Sequence, residues 1–149
     1  MRVQKRGKNL DKKLWLSRYQ EYREEASDNK EEADRLREEL FPSAQKLSGM
    51  PRNPSPKQID QIWAEHISAI NTAEEAMRNA NERLLEISAA IESLEDSDQR
   101  TVLKKRYCHG YNWLTIADTM HRSVESVTKL HGRALDKISV PIDTNDSVR

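Results

Sequence analysis

Bulky apolar residues are scarce in this sequence, which holds a single phenylalanine and is 36% hydrophobic and 34% charged. That is too little apolar material for a large globular core, but with only four glycines it suits exposed helices, so an all-α fold is expected. The one cysteine, Cys108, cannot close an internal disulfide, and no paired Cys/His spacing marks a zinc site. There is no long apolar run and no charged-then-apolar leader, which predicts a soluble cytoplasmic protein without a membrane span or secretory signal. A glycine-rich phosphate loop and a Ser/His/Asp arrangement are also missing, so a binding protein without cofactor or metal is expected rather than an enzyme.

Net charge is zero, but the signs are distributed in blocks. Residues 1–13 hold six basic residues against Asp11, whereas residues 21–40 hold nine acidic against four basic, and residues 58–96 nine against two. Residues 98–138 reverse the balance, with eight basic against four acidic.

Residues 1–9 lack apolar periodicity and read as a basic flexible tail in preference to a DNA-contacting arm, though their charge can help on DNA. From Leu10 to Leu40, Trp15, Tyr19, Tyr22, Ala26, Asn29, Ala33, Leu36 and Leu40 recur in alternating steps of four and three, the spacing of a coiled-coil seam. The intervening glutamates and arginines form a solvated face. Pro42, Gly49, Pro51 and Pro54 interrupt this pattern in a Pro-rich loop, 41–55. Ser55-Pro56-Lys57-Gln58 then marks a restart, with a hydroxyl at the N-cap, proline at the first helical position and glutamine three residues after the cap. The second helix runs to about Glu95 on a seam of Ile59, Trp63, His66, Ile70, Ala73, Met77, Ala80, Leu84, Ile87, Ile91 and Leu94. Two such helices in 10–96 bury their seams either as an antiparallel coiled-coil hairpin or between the chains of a homodimer; neighbouring elements usually pack together, which favours the hairpin.

Asp96 and Ser97 are competent to cap a third helix through Val102, Leu103, Arg106 and Tyr107, which Gly110 ends. A short helix, Trp113 to Met120, a tight turn at His121-Arg122-Ser123, and a last helix capped by Ser123 complete a helix-turn-helix over 97–138, with a flexible tail at 139–149. Val127, Leu130, Ala134, Leu135 and Ile138 form the buried face of that last helix. Its outward face is Glu125, Ser126, Thr128, Lys129 and Arg133, where Lys129 can donate to guanine edges, Glu125 can accept from the cytosine amino group and Thr128 can meet a thymine methyl. Lys104, Lys105, Arg122, Ser123 and Arg133 are candidates for the DNA backbone. His109 and His131 read as ordinary polar positions, and Gly132 as a site of close approach by DNA or another helix.

The stretch from Asp98 to Ile138 resembles the fourth conserved region of bacterial sigma factors, a helix-turn-helix that reads promoter DNA. The anchors are Leu103, Arg106-Tyr107, Gly110, Ile116-Ala117, Ser123, Val127 and Ala134-Leu135. The whole chain is similar to small phage and prophage proteins with an N-terminal coiled coil, a central LSGMPR segment (Leu47 to Arg52) and an LHGRAL ending (Leu130 to Leu135), usually grouped with late-operon transcription regulators. The resemblance implies Val124, Glu125, Thr128 and Lys129 as base-facing residues, and a bacterial host cell. Sigma factors often place arginine where Val124 and Thr128 stand, which favours a different target sequence, and nothing corresponds to the sigma domain that melts DNA.

A sequence-specific transcription regulator that binds double-stranded DNA is the first expectation. A phage DNA-packaging recognition subunit, of the small terminase type, and a module that docks on host RNA polymerase without reading DNA are the alternatives.

Overall fold

The computed structural model describes residues 2–41 and 55–141, with side chains from Gly7 onward. The LSGMPR segment, most of the expected Pro-rich loop and the last eight residues lie outside these. Among the described residues the elements are α1 (Arg2–Leu40), α2 (Pro56–Glu92), α3 (Ser97–Leu103) continued by a π-helical turn (Lys104–Cys108), α4 (Trp113–Thr119) and α5 (Val124–Lys137). No strand occurs among them, so the expectation of an all-α protein holds. None of their helices is long and apolar enough to cross a membrane.

Helix α1 starts at Arg2, not at Leu10, which corrects the expectation of a flexible tail over residues 1–9. Arginine, lysine and glutamine are good helix formers, and a segment without apolar periodicity can extend a helix that is anchored further along. The start of α2 is the expected capping box: Ser55 N–H donates to Gln58 Oε1 at 2.9 Å and Gln58 N–H donates to Ser55 Oγ at 3.3 Å.

The chain divides into two compact units, Arg23–Glu82 and Met1–Tyr22 with Arg83–Arg149. In the first, the long N-terminal helix packs on the next one in antiparallel order: Phe41 meets Trp63 edge to face at 5.3 Å, Glu39 meets His66 at 3.4 Å, and Arg37 pairs with Glu74. Ala26, Ala33, Leu40, Ile70, Ala73 and Ala80 are buried along the expected seam. Small alanines let the two backbones approach, so little apolar mass is needed. Asn29 donates its side-chain amide to Glu25 O of its own helix at 2.8 Å.

In the other unit, Leu16 and Tyr19 of α1 and Ile87, Ile91 and Leu94 from the end of α2 and just beyond it share one core with α3 to α5. Leu16 is fully buried, while its neighbour Trp15, the expected seam residue, is only half-buried. Here α1 faces a cluster of short helices as well as α2, and its buried face turns by about one residue position away from the two-helix seam.

Helix ends in this unit are closed by side chains from distant positions. A helix leaves its last carbonyls without intrahelical partners. Gln20 Nε2 donates to Tyr107 O at 2.9 Å and Cys108 O at 2.7 Å, at the end of the π-helical turn. Lys12 Nζ donates to Leu135 O at 2.7 Å near the end of α5, and Asn9 Nδ2 to Asp136 Oδ1 at 3.0 Å. Beyond the end of α2, Arg100 donates to Glu95 O at 2.9 Å and to Leu94 O.

Leu16 and Leu14 therefore make a contrasting pair. Leu16→Ala removes a fully buried side chain and is expected to cost about 2–4 kcal/mol, whereas Leu14→Ala, at a position 57% exposed, is expected to cost no more than about 0.5 kcal/mol. Urea unfolding monitored by circular dichroism distinguishes the two, and equal effects would mean that α1 is not part of this core.

Candidate functional site

Three caps fix the C-terminal helices. Asp96 Oδ1 accepts from Asp98 N at 2.8 Å and Gln99 N at 3.1 Å at the start of α3, and Ser123 Oγ accepts from Ser126 N at 3.1 Å at the start of α5. Asn112 Oδ1, accepting from Thr115 N at 2.8 Å, does the same for α4. Asn112 went unassigned in the sequence, although an asparagine just before Trp113 is an ordinary N-cap signal.

Two left-handed residues aim the chain between these helices. Gly110 has φ +71°, which lets Tyr111 N–H return to Lys105 O at 2.9 Å. His121 has φ +52°, a conformation unusual outside glycine. Around it His121 N–H bonds Asp118 O at 3.1 Å and Arg122 N–H bonds Ala117 O at 3.0 Å, the paired closure of a helix C-terminus. The turn is thereby set by backbone geometry, and α5 leaves it in a defined direction.

One face of α5 is buried through Val127, Leu130, Ala134 and Leu135. The four residues expected to face bases, Val124, Glu125, Thr128 and Lys129, lie together on its exposed side. Lys129 Nζ pairs with Glu125 Oε1 at 2.7 Å, and Thr128 Oγ1 lies 3.0 Å from both Val124 O and Glu125 O, a donor to its own helix. Gly132 stands one turn further along this side, and a Cβ built there meets nothing within 4 Å. Arg133 is exposed and makes no hydrogen bond or ion pair with the other described residues.

The remaining candidates sit elsewhere and have partners. Arg122, in the turn, pairs with Asp98 at the start of α3. In the π-helical turn Lys104 pairs with Glu92, and Lys105 Nζ lies 5.8 Å from the Tyr111 ring centroid. Arg106 donates to Tyr111 O at 3.0 Å and lies over the Trp113 ring at 4.7 Å, a structural position. Among the described residues no cluster of His, Cys, Asp and Glu could hold a metal ion.

His131 is not the ordinary polar position that its sequence context implied. It is 6% exposed, its Nε2 shares a 2.9 Å hydrogen bond with the Tyr107 hydroxyl, and its ring meets Trp113 edge to face with centroids 4.9 Å apart. Burial, reinforced by Lys13 and Arg106, pulls its pKa down to about 4, and burial pushes the Tyr107 hydroxyl up to about 12. No pattern in the sequence separates such a histidine from a solvated one except its i+4 spacing from Val127 and to Leu135. Gln99 is also buried, and its Oε1 has no hydrogen-bond partner.

With this arrangement in place, a family profile described as a protein of unknown function matches residues 42–138. The chain belongs to the DUF1492 family. The match takes in α2 to α5 and leaves α1 of this DUF1492 protein outside it. No curated protein and no solved structure matches the chain.

The folded His131 imidazole takes up a proton less readily than an unfolded one. Stability is therefore full above about pH 6.5 and is lost as pH falls toward about 4, by on the order of 3 kcal/mol. Urea midpoints measured across that range should flatten in a Tyr107→Phe/His131→Phe double variant, which leaves no buried hydroxyl unpaired; parallel curves for the two proteins would contradict this origin.

Proposed function

We propose that this DUF1492 protein is a sequence-specific DNA-binding transcription regulator of phage or prophage origin, with α4, the turn and α5 acting as a helix-turn-helix. The observation that carries this reading is the exposed side of α5. Val124, Glu125, Thr128 and Lys129 occupy the first two turns of a helix whose opposite face is buried, so the helix can enter a groove without losing its packing. The residue types are those that read base edges: a lysine for guanine, a carboxylate for the cytosine amino group, and methyl-bearing Val124 and Thr128 for thymine. Ser123 and Arg133 flank them as backbone contacts, and Arg122, Lys104 and Lys105 would join only by leaving their present partners.

Charge distribution supports the same reading. The unit that contains α5 carries 17 basic and 12 acidic residues, and the other unit 8 basic and 13 acidic, so a polyanion is attracted to the first and repelled by the second. The resemblance of residues 98–138 to sigma-factor promoter readers agrees with it.

Binding should weaken steeply with salt as phosphate contacts release counterions. Lys129→Ala is expected to change base preference in a selection from random duplex DNA, as well as lowering affinity. Gly132→Ala is expected to stabilise the fold by up to about 1 kcal/mol, because a methyl group there meets open space, and yet to weaken DNA binding, because that space is where DNA approaches. An unchanged selection profile for Lys129→Ala would remove α5 from the groove.

A further inference from the structure

Two surfaces leave large apolar side chains open to solvent, and their charges are opposite. The first is the end of the two-helix unit where α1 stops and α2 begins. Phe41, just past the end of α1, meets Trp63, so the residues of α2 before Trp63, about 10 Å of helix, run on beyond α1. Ile70 and Ala73 are buried, but Phe41, Ile59, Ile62, Trp63 and Ile67 are between 38% and 62% exposed, although Ile59 and Trp63 were expected on the buried seam. Ile62 and Ile67 lie to either side of the line through Ile59, His66 and Ile70, which makes the apolar stripe roughly 140° wide, more than one facing helix covers. Around it, residues 31–41 and 55–70 hold seven acidic residues against Arg35, Arg37 and Lys57.

The second surface is on α1 in the other unit. Leu10 and Leu14 are 56% and 57% exposed, one turn apart on the side of the helix away from Leu16. Lys13 stands three positions after Leu10 and Arg18 four after Leu14, both exposed beside the pair. Residues 7–18 hold Lys8, Lys12, Lys13 and Arg18 against Asp11 alone. The local signs match the excess of acidic residues in the first unit and of basic residues in the second.

We infer that a second copy of this chain docks on the end of the two-helix unit, with its Leu10 and Leu14 against Ile62, Trp63 and Ile67 and its Lys13 and Arg18 among the acidic residues at the rim. Two like ends meeting would cover the same apolar side chains, but would set seven acidic residues of each copy against one another, and such juxtaposition is costly. Joining unlike faces covers apolar surface on both copies and brings opposite charges together.

The test is the mass of the full chain in sedimentation equilibrium, at low and high salt. Two variants are compared with wild type: Ile62→Gln with Ile67→Gln, and Leu10→Gln with Leu14→Gln. All four positions are exposed and glutamine is a good helix former, so both variants keep the wild-type circular dichroism spectrum. Wild type exceeds the monomer mass and falls back toward it with added salt, as screening of opposite charges requires. Each variant alone associates about tenfold more weakly or less, and mixing the two restores association, because each supplies the face that the other lacks. Asp60→Lys with Glu65→Lys leaves the apolar side chains in place and weakens association about tenfold at low salt. A monomeric wild type overturns the inference. So does a leucine variant that associates as wild type does, the mark of two like ends meeting. A mixture that stays monomeric, association that strengthens with salt, or an unaffected Asp60→Lys/Glu65→Lys variant overturns it as well.

Discussion

A group of helices spanning only residues 97–137 cannot bury enough apolar surface to stand alone, and the rest of its unit follows from that constraint. The group borrows Leu16 from α1 and Ile87, Ile91 and Leu94 from α2 and the residue positions after it. Each borrowed residue fixes a long helix against the short ones. Once Leu16 is seated, Gln20 and Lys12 are positioned to close carbonyls that would otherwise face the protein without partners. The polar bonds depend on the apolar contact, since they contribute only when the helices are already adjacent.

The same constraint explains the chemistry on α5. A helix with one exposed polar stripe is held only from its other side, and the buried pair of Tyr107 and His131 belongs to that support. A neutral imidazole fills the space between Tyr107 and Trp113 while satisfying the hydroxyl. The turn before α5 uses His121 in the left-handed region, a conformation that costs of the order of 1 kcal/mol for a residue other than glycine and persists when the surroundings determine it. The turn trades local stability for a defined exit direction of the helix.

Much of this was legible in the sequence, and the omissions have physical causes. Seam spacing located both long helices, and Ser55 with Gln58, Asp96 and Ser123 marked their own helix starts, because caps and periodicity are local signals. Glu125, Thr128 and Lys129 at the start of α5 followed from the apolar spacing of its other face, whereas Val124 entered only through the resemblance to sigma-factor readers. Leu16 was passed over because a two-helix seam assigns burial to Trp15, and a third body packing on α1 leaves no local trace. The helical start at Arg2 was missed for a related reason, since its anchors, Asn9 and Lys12, bind residues at the far end of the sequence. His131 and Lys104 show the limit for polar side chains, whose partners Tyr107 and Glu92 are not predicted by periodicity.

The bond from Asn9 to Asp136 joins residues 127 positions apart, and that from Lys12 to Leu135 residues 123 apart. Contacts of such sequence separation form late, because the chain must close a long loop before they stabilise anything. Neighbouring α3, α4 and α5 can begin to associate first, with α1 docking afterwards, an order that pulsed hydrogen exchange would resolve as early protection of α5 and late protection near Lys12. On the ribosome the delay is enforced by synthesis itself: α1 emerges first and must wait, without its core, for the last helix to appear.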